Sequence, residues 1–111
     1  MNSNKIEYTE GSGNIYQDLG FSDSEERLAK AKLAMRIENI IAKRNLKQSE
    51  AAKILGINQP KISALIHGRL NGFSMERLIH FLNLLDQDVQ IVVKRKPARL
   101  ATHGRLSVAF G

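Results

Sequence analysis

Between Asn58 and Arg69 the chain reads NQPKISALIHGR, and its polar and small residues gather on one side of a helix. Gln59, Lys61, Ser63, Ala64 and His67 lie on that side, away from Ile62, Leu65 and Ile66, which should form its buried face. The chemistry such a face can do is recognition. A Gln amide can pair with N6 and N7 of adenine, a Ser hydroxyl suits several base edges, and an Ala methyl can touch thymine. Small Ser and Ala also let a helix sit deep in a major groove. Asn58 is a good N-cap for this helix, and Pro60 falls in its first turn, where a missing N–H costs nothing.

A reading helix needs a second element to hold it across the nucleic-acid backbone. Just upstream, Ala51, Ala52 and Leu55 form an apolar stripe at helical spacing, and Gly56 stands where the chain must turn sharply. Two short helices joined in this way place the N-terminal residues of the second against the bases. The stretch Gln48–Gly68 resembles the helix-turn-helix of the lambda-repressor-like, or XRE, family. Gln48, Ala52, Gly56, Ile62 and Leu65 fall at that family's signature positions. A plain pair of packed helices would share the Ala-x-x-x-Gly pattern, but five positions in register on a basic chain favour the DNA-binding reading.

The resemblance implies that Gln48 bonds a phosphate, helped by the helix N-terminus. Many members carry Thr or Ser just before that Gln. Here Lys47 takes the place, which weakens the cap and shifts its role toward phosphate contact. Lys53 and Arg69 are further expected phosphate anchors. Gln59, Lys61, Ser63 and Ala64 are expected to face base edges, with Asn58, Pro60 and His67 completing the surface. Pro60 and Ala64 depart from the Gln or Ser of phage repressors, so the operator cannot be copied from them.

No catalytic or metal constellation emerges. His67, His80 and His103 lack metal-ligand spacing, and the chain has no cysteine to complete a zinc site or form a disulfide. Asp86 and Asp88 form a carboxylate pair only in a turn, where Asp is common. There is no Gly-rich phosphate loop, Walker motif or G-x-S-x-G. The expectation is a non-enzymatic protein without cofactor or metal.

With 111 residues there is room for one core. No apolar run reaches eighteen residues and no apolar h-region follows Lys5, so neither a membrane span nor a secretory signal is expected and a cytoplasmic protein is. The net charge of +6 is uneven: residues 1–26 carry −5 and residues 27–111 carry +11. A basic body favours a polyanionic partner, here double-stranded DNA. The acidic arm would be repelled by it.

In chain order, residues 1–21 form that arm, broken by Gly11, Ser12, Gly13 and Asn14. The domain follows over 22–94. Its first helix begins at Ser22 or Asp23, with Glu25 and Glu26 suiting the helix dipole, and runs to about Arg44. Ala29, Leu33, Ile37, Ile40 and Ile41 should face the core. Leu28, Ala31 and Met35 mark a second apolar face, which either the arm or a partner protein would cover. After Gly68, Phe73, Ser74 and Leu78 read as a hydrophobic staple around a Ser N-cap. A last helix follows to about Leu85, with Met75, Leu78, Ile79, Leu82 and Leu85 as its core stripe and Phe81 on the flank.

Val89–Lys94 then reads as a β-strand, rich in β-branched residues. It must pair with the N-terminal piece, with a second copy or with a partner protein. Residues 95–111 read as a basic, flexible tail. The expected fold is therefore mainly α: a lambda-repressor-like helical domain with a C-terminal strand. A homodimer is expected, because helix-turn-helix repressors usually bind two half-sites.

The segment GNIYQDLGF, residues 13–21, resembles one found ahead of the helix-turn-helix in small XRE-type antitoxins. With the acidic arm, single domain and terminal strand, the plan over roughly residues 12–94 resembles HigA-type antitoxins. That resemblance implies a toxin partner, usually a ribosome-dependent ribonuclease, and repression of a shared operon. Ile15, Tyr16, Leu19, Leu28 and Met35 are the partner-binding candidates. A stand-alone XRE-type regulator is the alternative, and a protein-interaction module without DNA binding the remoter one.

Overall fold

The computed structural model describes residues 23–95 and 104–111. It contains four helices among them: α1 (Asp23–Lys43), α2 (Gln48–Leu55), α3 (Gln59–Ile66) and α4 (Met75–Leu84). The chain divides into two compact units, Lys30–Ile91 and a second made of Met1–Ala29 with Val92–Gly111. In the second, Asp23 and Arg27 face each other one helical turn apart at 3.5 Å, and Ala29 is buried.

The first unit carries the helix-turn-helix. Leu33, Ala34, Ile37 and Ile41 of α1 are buried, and Ile40 is half-buried at the edge of the stripe. Met35 stands exposed on the other side, as Leu28 does earlier on the same helix. Ala51, Ala52 and Leu55 of α2 and Ile62 and Leu65 of α3 are buried, and α2 packs on both α3 and α4. In α4, Met75, Leu78, Phe81 and Leu82 are buried and Leu85 closes the helix with no exposure. Phe81, on the flank of the expected stripe, is fully buried as well. Its ring meets Phe73 edge-on, with centroids 5.9 Å apart.

All four helices stop by the same device. A residue in the left-handed region follows each one: Asn45 (φ 55), Gly56 (φ 70), Gly68 (φ 75) and Asp86 (φ 66). In each case the next residue's N–H returns to a carbonyl five positions back: Leu46 to Ile41, Ile57 to Ala52, Arg69 to Ala64 and Gln87 to Leu82, at 2.9–3.1 Å. These paired returns satisfy carbonyls that a helix end leaves bare. The starts of α3 and α4 are capped as well. Asn58 Oδ1 accepts from the Lys61 N–H at 2.9 Å, and Ser74 Oγ from the Arg77 N–H at 3.1 Å. Lys47 has no side-chain acceptor and caps nothing. Instead the Glu50 carboxylate reaches back to the Lys47 N–H at 2.7 Å, half of a capping box.

The strand expected over residues 89–94 is absent: 87–95 carry no regular element. Ile91, Val92 and Val93 are 79%, 62% and 92% exposed. The physical reason is that β-propensity alone does not make a strand; ladder hydrogen bonds to a neighbour do. Residues 104–111 carry no helix or strand, while the rest of the expected tail and the arm of residues 1–21 lie largely or wholly outside the described residues.

Candidate nucleic-acid interface

The rotation of α3 is fixed by its buried pair. Ile62 and Leu65 are 0% and 2% exposed. At 3.6 residues per turn, Pro60, Ser63, Ala64 and His67 then fall on the outer side, with Gln59 at its edge. Gln59, Pro60 and His67 are exposed, while Ser63 and Ala64 are half-buried between them. Ile66, expected in the core, sits half-buried on a shoulder.

Lys61 occupies the other shoulder. Its Nζ donates to the Gly72 carbonyl at 3.3 Å and lies 5.0 Å from the Phe73 ring centre. A Cβ at Gly72 would come within 2.9 Å of that Nζ, so the lysine head fits against the loop because residue 72 lacks a side chain. The structure therefore sets Lys61 as a brace between α3 and the loop ahead of α4, apart from the outer row.

His67 is also held. Its Nδ1 lies 2.8 Å from the Ser63 carbonyl, which also accepts the His67 backbone N–H at 3.0 Å. A carbonyl only accepts, so Nδ1 carries the proton and Nε2 is the acceptor of the neutral ring. Ser63 Oγ stands 3.4 Å from the same Nδ1. Arg69 follows as the residue whose N–H closes the end of α3, and its side chain is exposed.

At the start of α2 and along it, the expected backbone contacts Lys47, Gln48 and Lys53 are all exposed. Gln48 is the first residue of its helix, where free N–H groups favour an anion. Asn58 is exposed too, but its carboxamide oxygen is engaged as the cap of α3. The structure thus brings the short turn Gly56–Asn58, the exposed start of α2 and the outer row of α3 into one helix-turn-helix.

Of the partner candidates, Leu28 and Met35 are 59% and 60% exposed, and Ile15, Tyr16 and Leu19 lie outside the described residues. His80 is exposed on α4. Among the described residues no group of His, Cys, Asp or Glu is arranged to hold a metal ion, and no helix is long and apolar enough to cross a membrane. Sequence reasoning missed Arg44. Its guanidinium donates to the Leu85 carbonyl at 2.7 Å and lies 3.5 Å from Asp86, tying the end of α1 to the end of α4. No spacing rule announces a contact between residues so distant in sequence.

Comparison with known proteins agrees with this geometry. A family model described as a helix-turn-helix domain matches residues 15–94. A solved structure described as an XRE family transcriptional regulator is 49% identical, with a TM-score of 0.75. That match covers 81% of this chain and 100% of the other. No curated protein matches the chain.

Proposed function

This chain belongs to the helix-turn-helix domain family and is of XRE type, and on that premise we propose that it is a sequence-specific transcriptional repressor that binds operator DNA as a homodimer. The observation that carries the proposal is the outer row of α3. Gln59, Ser63 and Ala64 present an amide, a hydroxyl and a methyl from a helix whose rotation Ile62 and Leu65 lock. Those groups read base edges in a major groove. Lys47, Gln48, Lys53 and Arg69 hold phosphates on either side and fix the register without reading sequence. In this reading Lys61 sets the angle of α3 through its hold on Gly72, and Asn58 shapes the start of the helix.

A double-stranded DNA library selected on the protein tests this, followed by titration of the best duplex against a scrambled one. A repressor of this kind prefers the selected duplex by a factor of about a thousand or more. Equal affinity for both duplexes would leave only a non-specific DNA binder.

A second layer is proposed from the N-terminal segment: that the protein is the antitoxin of a toxin–antitoxin pair and represses its own operon. The family match begins at residue 15, so the segment bearing Ile15, Tyr16 and Leu19 falls within the family's domain. The exposed Leu28 and Met35 add apolar surface on α1 for a partner protein. The test is capture of the chain from its own host, washing at high salt to strip DNA, and native mass spectrometry. A stoichiometric second protein encoded beside it supports the antitoxin reading. A clean homodimer instead supports a stand-alone XRE-type regulator.

A further inference from the structure

The run Val89–Val93 is β-branched apart from Gln90, exposed, and without a ladder partner among the described residues. Such an edge is a liability unless something pairs with it. Its sequence states what fits. In DQDVQIVVKR, acids Asp86 and Asp88 stand at one end and Lys94 and Arg95 at the other. We propose that residues 88–94 form an antiparallel two-stranded ladder with the same residues of a second copy, centred on Ile91 opposite Ile91. The proposal deepens the homodimer reading above and rests on it.

Three observations select this arrangement. Antiparallel pairing about Ile91 sets Asp88 of each copy opposite Lys94 of the other, so one chain supplies both halves of two ion pairs. Parallel pairing would set Asp88 beside Asp88 and Lys94 beside Lys94, where like charges repel. The apolar alternation agrees: Val89, Ile91 and Val93 share one face of an extended chain. In the Ile91-centred register Val89 meets Val93 and Ile91 meets itself, which places three apolar pairs side by side. A shift by one residue would set Val89 against Val92, on the opposite face, and Ile91 against Gln90. Finally, a symmetric ladder needs the same patch on both copies, which is what a twofold dimer requires. It also accounts for the missing strand: among the described residues no second edge pairs with this run.

Cysteine placement and charge reversal in the full chain test the proposal, aided by the lack of native cysteine. Residues facing each other across an antiparallel ladder have Cα atoms about 4.5–5.5 Å apart, within disulfide reach. Ile91→Cys is therefore expected to cross-link to a covalent dimer under mild oxidation. Val93→Cys alone is expected to stay uncross-linked, and Val89→Cys with Val93→Cys to cross-link. In sedimentation equilibrium, Asp88→Lys is expected to weaken dimerisation about tenfold. Adding Lys94→Asp to it should restore the wild-type constant. A protein that remains dimeric while Ile91→Cys fails to cross-link and Asp88→Lys leaves the constant unchanged would overturn the ladder and leave the homodimer reading intact. A protein monomeric at every concentration, free and on DNA, would overturn both.

Discussion

The Arg44 guanidinium donates to the Leu85 carbonyl at 2.7 Å, across 41 positions of sequence. It joins the residue just past α1 to the residue just past α4, so the helix-turn-helix between them is held from outside its own sequence. Asp86 lies 3.5 Å from the same guanidinium but is 84% exposed on its side chain, where an ion pair contributes little. The hydrogen bond to the carbonyl is the stronger link.

Arg44→Ala is accordingly expected to lower stability by about 1.5 kcal/mol, the low end for a charge-assisted bond. The low end applies because Gln87 Nε2 also donates to the Leu85 carbonyl at 3.1 Å and keeps it satisfied. Asp86→Asn should cost less than about 0.5 kcal/mol. Urea unfolding of both variants checks the order; an equal or larger loss for Asp86→Asn would reverse the assignment.

Gly56→Ala is expected to cost about 1–2 kcal/mol, because only the left-handed φ of 70° opposes it. No atom lies within 4 Å of the added Cβ, so there is no clash to add to that cost. Gly68→Ala should behave alike, for the same reason. Thermal or urea unfolding measures both, and a loss beyond about 3 kcal/mol would mean that packing is involved after all.

These caps show what the sequence made legible. Gly56, Asn58 and Ser74 announce their roles by type and position, as do the buried stripes of α1, α2 and α4. Asn45 and Asp86 do not: each reads as a polar break, and that both adopt positive φ emerges only from the hydrogen bonds returning past them. Lys61 shows the limit at the interface. Spacing puts it beside Gln59 and Ser63 on a polar face, but its long side chain turns back to Gly72 and Phe73. The terminal run had strand propensity but no ladder partner among the described residues, and propensity without ladder hydrogen bonds made no strand.

Gln59→Ala is expected to cost about 1–3 kcal/mol in operator affinity and to relax preference at one base position. Competition binding against duplexes substituted singly at each position reads this. Equal losses on every duplex would count against direct readout by Gln59.

Arg69→Ala and Lys53→Ala should weaken binding almost uniformly across sequences. Each removed phosphate contact is expected to flatten the slope of log K against log salt by about 0.9. A wild-type slope in either variant would remove that residue from the backbone contacts.

The most direct test of the account is the salt dependence of binding to the selected operator, measured by fluorescence anisotropy for the wild type and for Gln59→Ala. Steep salt-dependent binding by the wild type is expected, with Gln59→Ala keeping the slope while losing preference for the operator over a scrambled duplex. Binding to no duplex at any salt, or a variant that discriminates as well as the wild type, would contradict it.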